Sequence, residues 1–165
     1  EFLNNNHIQG YIPSIIKLGL FYKNELVSIM TFDHFEGRKL MPSDEWNLSR
    51  FCNLLNKSVI GGASKLLSHF ISKYSPKRII SFADMEWSKG YLYKKLGFDL
   101  KSISKPNYKY VVNDIRVNKR RFMKSILVNN GEDANLSESK IMENNGYYKV
   151  FDCGQMKFEL ILKQN

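Results

Sequence analysis

The stretch from Asn56 to Phe98 constrains the fold of this 165-residue chain more than any other part. Two adjacent glycines, Gly61 and Gly62, come directly before apolar residues spaced as on one face of an amphipathic helix: Leu66, Leu67, Phe70, Ile71 and Tyr74. Glycines at such a turn let the backbone approach a ligand closely, and the N–H groups of a helix start attract anions. The pattern therefore predicts a turn and helix that can bind a phosphate-bearing ligand.

The residues that follow predict a strand and a second helix. The run 78–84 is short and mostly apolar, which is typical of a strand buried on both faces. Ser88 is a good N-cap residue, and Trp87 with Leu92 has the spacing of a hydrophobic staple at the same helix start. Gly97 is expected to end this helix. The stretch thus reads turn, helix, strand and helix.

The first third of the chain predicts antiparallel strands. Two β-rich runs, 15–22 and 26–35, flank the tight-turn sequence Lys23-Asn24-Glu25, which indicates a hairpin. Residues 45–54 alternate in polarity and are predicted to form the strand that enters the glycine turn. This alternation places four side chains on one face of that strand: Trp46, Leu48, Arg50 and Cys52.

The last third predicts two more strands, a basic helix, a capped helix and a terminal hairpin. The strands are expected at about 98–104 and 107–113, and Lys119–Lys124 on an amphipathic helix after them. Asn135 and Glu138 have the spacing of a capping box for a helix over 136–145. The final hairpin would pair residues 147–153 with 156–162.

These motifs, in this order, resemble the core of the GNAT acetyltransferase superfamily. Its members carry a Gln/Arg-x-x-Gly-x-Gly/Ala loop whose amides hold the pyrophosphate of acetyl-CoA. Gly61 and Ala63 match the two small positions, and Ser58 stands where Gln or Arg is usual. Tyr93, in Tyr-Lys-Lys-Leu-Gly-Phe, matches a family tyrosine that protonates the departing thiolate. The resemblance implies an α/β (α+β) fold with a mixed, largely antiparallel sheet flanked by helices, extended by a C-terminal helix and hairpin.

The same resemblance implies a site for acetyl-CoA or another acyl-CoA. In the family core, the strands corresponding to 45–54 and 78–84 splay apart, and the pantetheine arm lies between them. Tyr93 would act as the acid, and Glu86 or Asp84 as the base, directly or through water. The residues implied to bind the cofactor are Phe51, Cys52, Asn53, Ser58, Gly61, Gly62, Ala63 and Ser64.

A narrower resemblance covers nearly the whole chain. The phrases Arg50-Phe51-Cys52-Asn53, Phe82-Ala83-Asp84 and Tyr148–Gly154 resemble a domain of phage proteins labelled homing-endonuclease-like. That domain is itself similar to the GNAT-like fold of the phage Mom DNA-modification protein. This resemblance implies DNA as a partner and a cytoplasmic location in a phage-infected or bacterial host cell.

Length and composition bound these expectations. A chain of 165 residues suits one domain, with a core at about 10–112 and a basic helical and hairpin extension at about 113–165. Since the first residue is Glu1 and not Met, we expect an excised domain or a trimmed chain, and an additional domain before residue 1 stays open. No run approaches 18 apolar residues, so we expect no membrane partner. The two cysteines and three histidines lack the spacing of a metal site.

The net charge of +9 favours a polyanionic partner, either nucleic acid or the phosphates of a cofactor. Basic residues are densest between 101 and 124, where eight of them accompany one acid, Asp114. The candidate nucleic-acid contacts are Lys101, Lys105, Lys109, Arg116, Lys119, Arg120, Arg121 and Lys124.

Three functions stay open at this point. The first is a phage-type GNAT-like domain acting on or at nucleic acid, with acyl transfer from acyl-CoA to an amine as its chemistry. The second is a non-catalytic DNA-binding module of a homing-endonuclease-like protein. The third is an ordinary protein or small-molecule N-acetyltransferase. Only the first and third would make the chain an enzyme, an acyl-CoA-dependent N-acyltransferase.

Overall fold

The computed structural model describes residues 1–37 and 39–162, which form two compact units. The first unit contains residues 1–83, 87–103 and the segment from Met156 onward. The second contains Asp84–Glu86 and Ser104–Gln155.

The described chain contains eleven strands, five α-helices and one 3-10 helical turn. The strands are β1 (Ile16–Tyr22), β2 (Glu25–Asp33), β3 (Phe35–Glu36), β4 (Lys39–Leu40), β5 (Glu45–Asn53), β6 (Arg78–Asp84), β7 (Asp99–Ile103), β8 (Tyr108–Val112), β9 (Ile115–Asn118), β10 (Tyr148–Phe151) and β11 (Gln155–Ile161). The helices are α1 (Phe2–Asn6), α2 (Gly62–Tyr74), α3 (Tyr91–Lys95), α4 (Lys124–Asn129) and α5 (Glu138–Asn144), and the 3-10 turn is Lys119–Phe122.

The first unit is built on a six-stranded sheet with the order β1-β2-β5-β6-β11-β7. β5 and β6 run parallel, because α2 carries the chain across between them, while β1–β2, β2–β5 and β11–β7 are antiparallel. The predicted fold class, a mixed and largely antiparallel sheet flanked by helices, is confirmed. The hairpin of β1 and β2 is also confirmed, with Lys23 and Asn24 at positive φ of 47° and 66° in its two-residue turn.

Helix α2 follows the predicted pattern and packs an aromatic core against the sheet. Phe70 is fully buried and stacks on Phe32 of β2, with ring centroids 3.6 Å apart. Trp46 of β5 meets the same ring edge-on at 5.3 Å. Fully burying one such side chain contributes about 1.5–3 kcal/mol, so this cluster holds α2 firmly over β2 and β5.

A bulge in β5 corrects the predicted alternation of that strand. Thr31 pairs with Arg50 and Phe32 with Leu48, which leaves Ser49 as an extra residue. Because one extra residue reverses the facing of all later side chains, Arg50 does not share the face of Leu48. The single-face assignment of Trp46, Leu48, Arg50 and Cys52 was wrong, since only the partner strand reveals the bulge.

Helix α3 begins later than predicted. Gly90 is its N-cap, in the left-handed region with φ +75°, and Ser88 instead accepts the Gly90 N–H at 3.1 Å outside the helix. A Cβ at Gly90 would lie 2.4 Å from the Phe158 ring, so the close approach of that ring requires glycine. Trp87 is 64% exposed, which excludes the predicted staple. Gly97 follows the helix with φ +85°, as expected.

The second unit contains a three-stranded antiparallel sheet with the order β10-β8-β9. Its buried core consists of Tyr110, Leu127, Ile141 and Met142. β10 pairs with β8 and β11 with β7, so the predicted pairing of 147–153 with 156–162 is wrong. The chain turns at Gly154, where φ is +83° and an added Cβ would lie 2.4 Å from the Ser104 carbonyl oxygen.

Two helix predictions in the second unit also need correction. The basic residues Lys119–Phe122 form a 3-10 turn, and α4 begins separately at Lys124 after an extended Met123. Helix α5 is capped by Ser137, whose hydroxyl accepts the Lys140 N–H, so Asn135 is not its cap. Glu138 does not close a capping box, because its carboxylate is held by tyrosine hydroxyls instead.

Candidate functional site

A fork between β5 and β6 is the central feature of the first unit. The two strands pair only from Glu45–Arg78 to Leu48–Ser81. Beyond these pairs, β5 continues to Asn53 along β2 and β6 continues to Asp84, with no further pairing between them in the described chain. The bulge at Ser49 lies where they separate. The fork therefore leaves backbone N–H and C=O groups available to an extended ligand.

The β5 side of the fork carries three of the predicted cofactor residues. Phe51 packs against the core under α2. The side-chain oxygen of Asn53 is buried and has no hydrogen-bond partner among residues 1–37 and 39–162. Burial raises the pKa of Cys52 to about 11, so this thiol stays protonated near neutral pH and is a poor nucleophile.

Tyr93 lies at the point where the fork opens. The Ser81 hydroxyl donates to the Leu48 carbonyl at 2.8 Å, and its oxygen lies 3.0 Å from the Tyr93 oxygen. The Tyr93 hydroxyl donates to the Phe82 carbonyl at 3.3 Å, just past the last β5–β6 pair. The Tyr93 ring stacks on Phe158 with centroids 4.7 Å apart. Strand geometry and stacking thus hold the hydroxyl in the fork.

The pKa of Tyr93 is raised above its ordinary value, chiefly by burial of the ring and hydroxyl. Two weaker influences oppose this shift, the nearby Ser81 hydroxyl and the positive charge of Arg50. The guanidinium of Arg50 is fixed by the carbonyl oxygens of Gly10 at 3.1 Å and Ser49 at 2.7 Å. Tyr93 therefore keeps its proton at neutral pH, while a fixed cation favours the phenolate that proton donation would leave.

Ser81 and Arg50 were not among the predicted site residues. The sequence offered no signal for Ser81, which looks like any small residue in a buried strand. Arg50 stood out as a charge within an apolar alternation, but the unrecognised bulge assigned it to the wrong face.

The glycine turn before α2, called the cradle below, carries the residues predicted to bind phosphate. Gly61 is the N-cap with φ +73°, and a Cβ there would meet no atom within 4 Å. Gly62 permits the tight turn, because a Cβ there would lie 2.8 Å from the Val59 side chain. In the described chain, the N–H groups of Gly61, Ala63 and Ser64 have no hydrogen-bond acceptor. These free donors lie at a helix N-terminus, where an anion is favoured.

Ser58 lies next to the cradle but cannot replace the longer donor of the GNAT pattern. It lines an open pocket of about 480 Å³ together with Lys57 and Lys65. These two lysines supply positive charge beside the turn, whereas the Ser58 hydroxyl is uncharged.

The two predicted bases belong to the second unit. The Asp84 carboxylate accepts the N–H of Glu86 at 3.0 Å, and the Glu86 carboxylate lies 3.8 Å from the Arg116 guanidinium. Both groups are therefore already engaged in hydrogen bonds or ion contacts within their unit.

The predicted nucleic-acid residues divide between the units. Lys101 lies on β7 of the first unit, 3.5 Å from Glu159. The Lys119 ammonium lies 4.4 Å from the Tyr108 ring centroid. Overall the second unit contains nine basic and eight acidic side chains, so the rest of the chain carries nearly all of the +9 charge. The remaining predicted contacts, all in the second unit, are Lys105, Lys109, Arg116, Arg120, Arg121 and Lys124.

Two further features of the described residues concern metal binding and the membrane. Residues 1–37 and 39–162 contain no group of three or more His, Cys, Asp or Glu side chains placed to hold a metal ion. Over the same ranges, every helix is too short or too polar to cross a membrane.

Comparison with solved structures identifies the fold. The ribosomal-protein-S18-alanine N-acetyltransferase from Escherichia coli is similar to this chain with a TM-score of 0.58 and 11% identity, over 99% of this chain and 85% of that chain. A Bacillus subtilis acetyltransferase in complex with CoA and an N-acetyltransferase from Staphylococcus aureus Mu50 each give a TM-score of 0.49. They are 12% and 13% identical, over 87% and 89% of this chain and 74% and 67% of theirs. No protein-family model and no curated protein matches the sequence.

The chain therefore has the GNAT acetyltransferase fold, an assignment that rests on the Escherichia coli structure. The resemblance inferred from the sequence is confirmed at the level of the fold.

The residues present fit an acyl-CoA. The cradle offers free N–H groups to a pyrophosphate, and the open space beside Gly61 leaves room for it. The unpaired edge of β5 beyond Leu48 and the unpartnered oxygen of Asn53 suit an arm that carries amide groups.

Proposed function

We propose that this protein is an acyl-CoA-dependent N-acyltransferase. The observation that carries the proposal is the position of the Tyr93 hydroxyl, half-buried where β5 and β6 separate. A proton held at this point is in place for a group lying along the fork. The GNAT fold and the open anion cradle support the same assignment.

Binding would use backbone groups more than side chains. The N–H groups of Gly61, Ala63 and Ser64 would hold the pyrophosphate. The backbone edge of β5 from Phe51 to Asn53 would pair with the pantetheine amides. Phosphate binding by main-chain donors is consistent with a serine at position 58, where the GNAT pattern has a longer polar side chain.

Tyr93 would serve as the general acid. A bound acyl-CoA supplies a thioester whose carbonyl carbon an amine attacks, with cleavage of the carbon–sulfur bond. Tyr93 gives its hydroxyl proton to the departing sulfur and regains one from water. Arg50 stabilises the phenolate in the interval. The proton lost by the amine passes to water.

A matched pair of substitutions tests the cradle by calorimetric titration with acetyl-CoA. Ser64→Glu places a carboxylate among the cradle N–H groups, where the helix dipole tolerates it but a pyrophosphate does not. Ser68→Glu makes the same charge change one exposed turn further along α2. We expect Ser64→Glu to weaken binding roughly tenfold or more through charge repulsion, and Ser68→Glu to change it little.

Absence of acetyl-CoA binding in the wild-type protein would overturn the proposal. Equal weakening by both variants would show that the cradle does not hold the phosphates.

We propose action at nucleic acid as the second candidate function, with or without acyl transfer. It is favoured by Arg120, Arg121 and Lys124, which are exposed and form no ion pair within the described residues. Two free cations on the 3-10 turn and a third at the start of α4 suit a phosphate backbone. The resemblance to phage homing-endonuclease-like domains and the Mom protein supports the same partner.

Salt-dependent binding of a DNA duplex tests this candidate. Replacing Arg120, Arg121 and Lys124 with alanine removes three cations. The plot of log association constant against log salt concentration should therefore become less steep, its slope falling in magnitude by about 2–3. As a control, replacing Lys73, Lys94 and Lys95 with alanine removes the same number of positive charges from the first unit. An unchanged slope in the first variant would exclude this surface as the DNA contact.

A further inference from the structure

The sheet face away from α2 carries a buried carboxylate close to the β5–β6 fork. Asp33 of β2 is 6% exposed and pairs with Asn47 of β5. The next pair, Phe32 with Leu48, faces the core under α2, so Asp33 and Asn47 face the opposite side. Leu48 is also the last β5 residue that pairs with β6. The carboxylate therefore lies at the level where the two strands separate.

Ser49, the bulge residue, connects this carboxylate to the fork. Its hydroxyl donates to an Asp33 carboxylate oxygen, and the only other acceptor near it in the described chain is the Asn47 carbonyl at 3.3 Å. A hydroxyl has a single proton, and both of these partners can only accept. The half-buried Ser49 oxygen thus has only lone pairs to offer a ligand. A ligand that binds to this oxygen must donate a hydrogen bond.

Neighbouring side chains on the same face add further unused acceptors. Thr31 lies two positions before Asp33 and Asn47 lies opposite it, and each has a buried side-chain oxygen with no hydrogen-bond partner among residues 1–37 and 39–162. The cation on this face, Arg50, donates to two backbone carbonyls and forms no ion pair with Asp33 within the same ranges. The surroundings of Asp33 therefore favour a ligand that carries donors and positive charge.

The acid candidate reaches the fork from the other face. Ser81 pairs with Leu48 and so shares the α2 face, where Tyr93 packs against the core and lies beside the Ser81 hydroxyl. Ser49 stands on the opposite face. A thioester lying between the strands would thus have a proton donor on one side and the Ser49 oxygen on the other. Phe82, which follows Ser81 and is 37% exposed, adds apolar surface on the Ser49 side.

The two groups together distinguish the possible ligands. An alcohol or a water molecule can donate to the Ser49 oxygen but gains nothing from the negative charge of Asp33. A quaternary ammonium has the charge but no N–H to donate. A primary amine, which is protonated near neutral pH, uses both groups.

We propose that Ser49 and Asp33 form the binding site of the acceptor, a primary amine on an apolar stem. An amine N–H donates to the Ser49 oxygen, and the stem lies against Phe82. Asp33 is a positioning residue: it fixes the Ser49 hydroxyl and supplies the charge that favours an ammonium group. The place of this site in catalysis rests on the proposed acyl transfer, but amine binding itself needs no cofactor.

The test is an NMR titration of the ¹⁵N-labelled protein, without cofactor and near neutral pH, with three probes that share one stem. They are hexylamine, hexyltrimethylammonium and hexanol. We expect hexylamine to shift the amide signals of residues 47–50 and 82, and to bind roughly tenfold or more tightly than either of the other probes.

A matched pair of substitutions isolates the charge. Asp33→Asn keeps the size of the side chain, and the preference for hexylamine over hexanol should fall from roughly tenfold to near one. Glu25→Gln makes the same charge change at the exposed start of β2 and should keep the preference. A general loosening of the sheet would weaken both probes alike and leave the preference unchanged.

Three results would overturn the proposal: no shift at residues 47–50 with hexylamine up to about 10 mM, equal affinity of the wild-type protein for all three probes, or an unchanged preference in Asp33→Asn. The second result decides the question even if that variant does not fold. Titration with acetyl-CoA tests acyl transfer separately. A protein that binds hexylamine as expected but no acetyl-CoA would retain the amine site and lose the proposed acyltransferase function.

Discussion

Two tyrosine hydroxyls, one in each unit, show how pKa shifts in the same direction can accompany different roles. Burial is the leading cause of the raised pKa of both Tyr93 and Tyr110. Tyr110 donates to the Glu138 carboxylate at 3.0 Å, and Tyr108 donates to the same oxygen at 3.0 Å. Tyr93 instead donates to the Phe82 carbonyl at 3.3 Å and lies beside Ser81.

The difference lies in what surrounds the proton. A carboxylate that accepts from two hydroxyls strongly favours the protonated tyrosines, and the pKa of Tyr110 rises to about 12. The Tyr93 proton has only a long neutral hydrogen bond, and the charge of Arg50 favours its release. The fork tyrosine is therefore suited to proton donation, whereas the tyrosines of the second unit are suited to holding a fold together.

The largest effect should follow Tyr93→Phe. The phenyl ring keeps its stacking on Phe158 but cannot give a proton, so acyl transfer to an amine that the wild-type protein accepts should fall roughly 10²–10⁴-fold. Release of free thiol from acetyl-CoA measures this rate. Tyr91→Phe, on the same helix and 65% exposed, is the control and should change the rate little. A rate unaffected by Tyr93→Phe would remove the proposed acid.

Gly90→Ala tests whether the fork tyrosine depends on a packed support. The new methyl group would meet the Phe158 ring on which Tyr93 stacks, and the left-handed φ adds strain. We expect a loss of about 2–4 kcal/mol in the free energy of unfolding, measured by urea denaturation. Gly131→Ala has a similar positive φ but open space around it, so it should cost only about 1 kcal/mol. Equal losses would show that the Phe158 contact is unimportant.

Glu138→Gln should affect the second unit and leave acyl transfer unchanged. Loss of the charged acceptor weakens both tyrosine hydrogen bonds, so the free energy of unfolding should fall by about 1–3 kcal/mol. Glu143→Gln is the control on the same helix, because Glu143 forms only an exposed pair with Lys140. A change in transfer rate with stability intact would contradict the structural role of Glu138.

The smallest effect is a loss of stability at alkaline pH. Tyr110 binds its proton more tightly in the folded state, with a pKa of about 12, than in the unfolded chain, where it is near its ordinary value of 10.0. Its contribution to stability is therefore complete below about pH 10 and is lost as the pH rises from about 10 to about 12. Thermal melts over this range should show the loss, and Tyr110→Phe should lessen it. An unaltered pH profile in that variant would assign the loss to another group.

The parts of the fold that the sequence could predict are those with strong local patterns. The helical spacing of Leu66, Leu67 and Phe70 predicted α2, and the double glycine predicted the turn before it. The run 78–84 and the turn at Lys23-Asn24 were equally local. These elements also place the predicted cradle and Tyr93.

The errors concern features that distant partners decide. Ser49 forms a bulge only because of its register against β2, and Gly90 delays α3 only because the Phe158 ring lies against it. Glu138 has capping-box spacing, yet it accepts hydrogen bonds from tyrosines about thirty residues away in sequence. Local spacing could not reveal any of these contacts, and β10 was likewise assigned to the wrong partner strand.

The most direct test of the central claim is a crystal structure of the protein with CoA. We predict that the pyrophosphate lies against the N–H groups of Gly61, Ala63 and Ser64. The sulfur should lie in the β5–β6 fork within hydrogen-bonding reach of the Tyr93 oxygen, roughly 3–3.5 Å. A CoA molecule bound elsewhere, or in the fork with its sulfur far from Tyr93, would contradict this account.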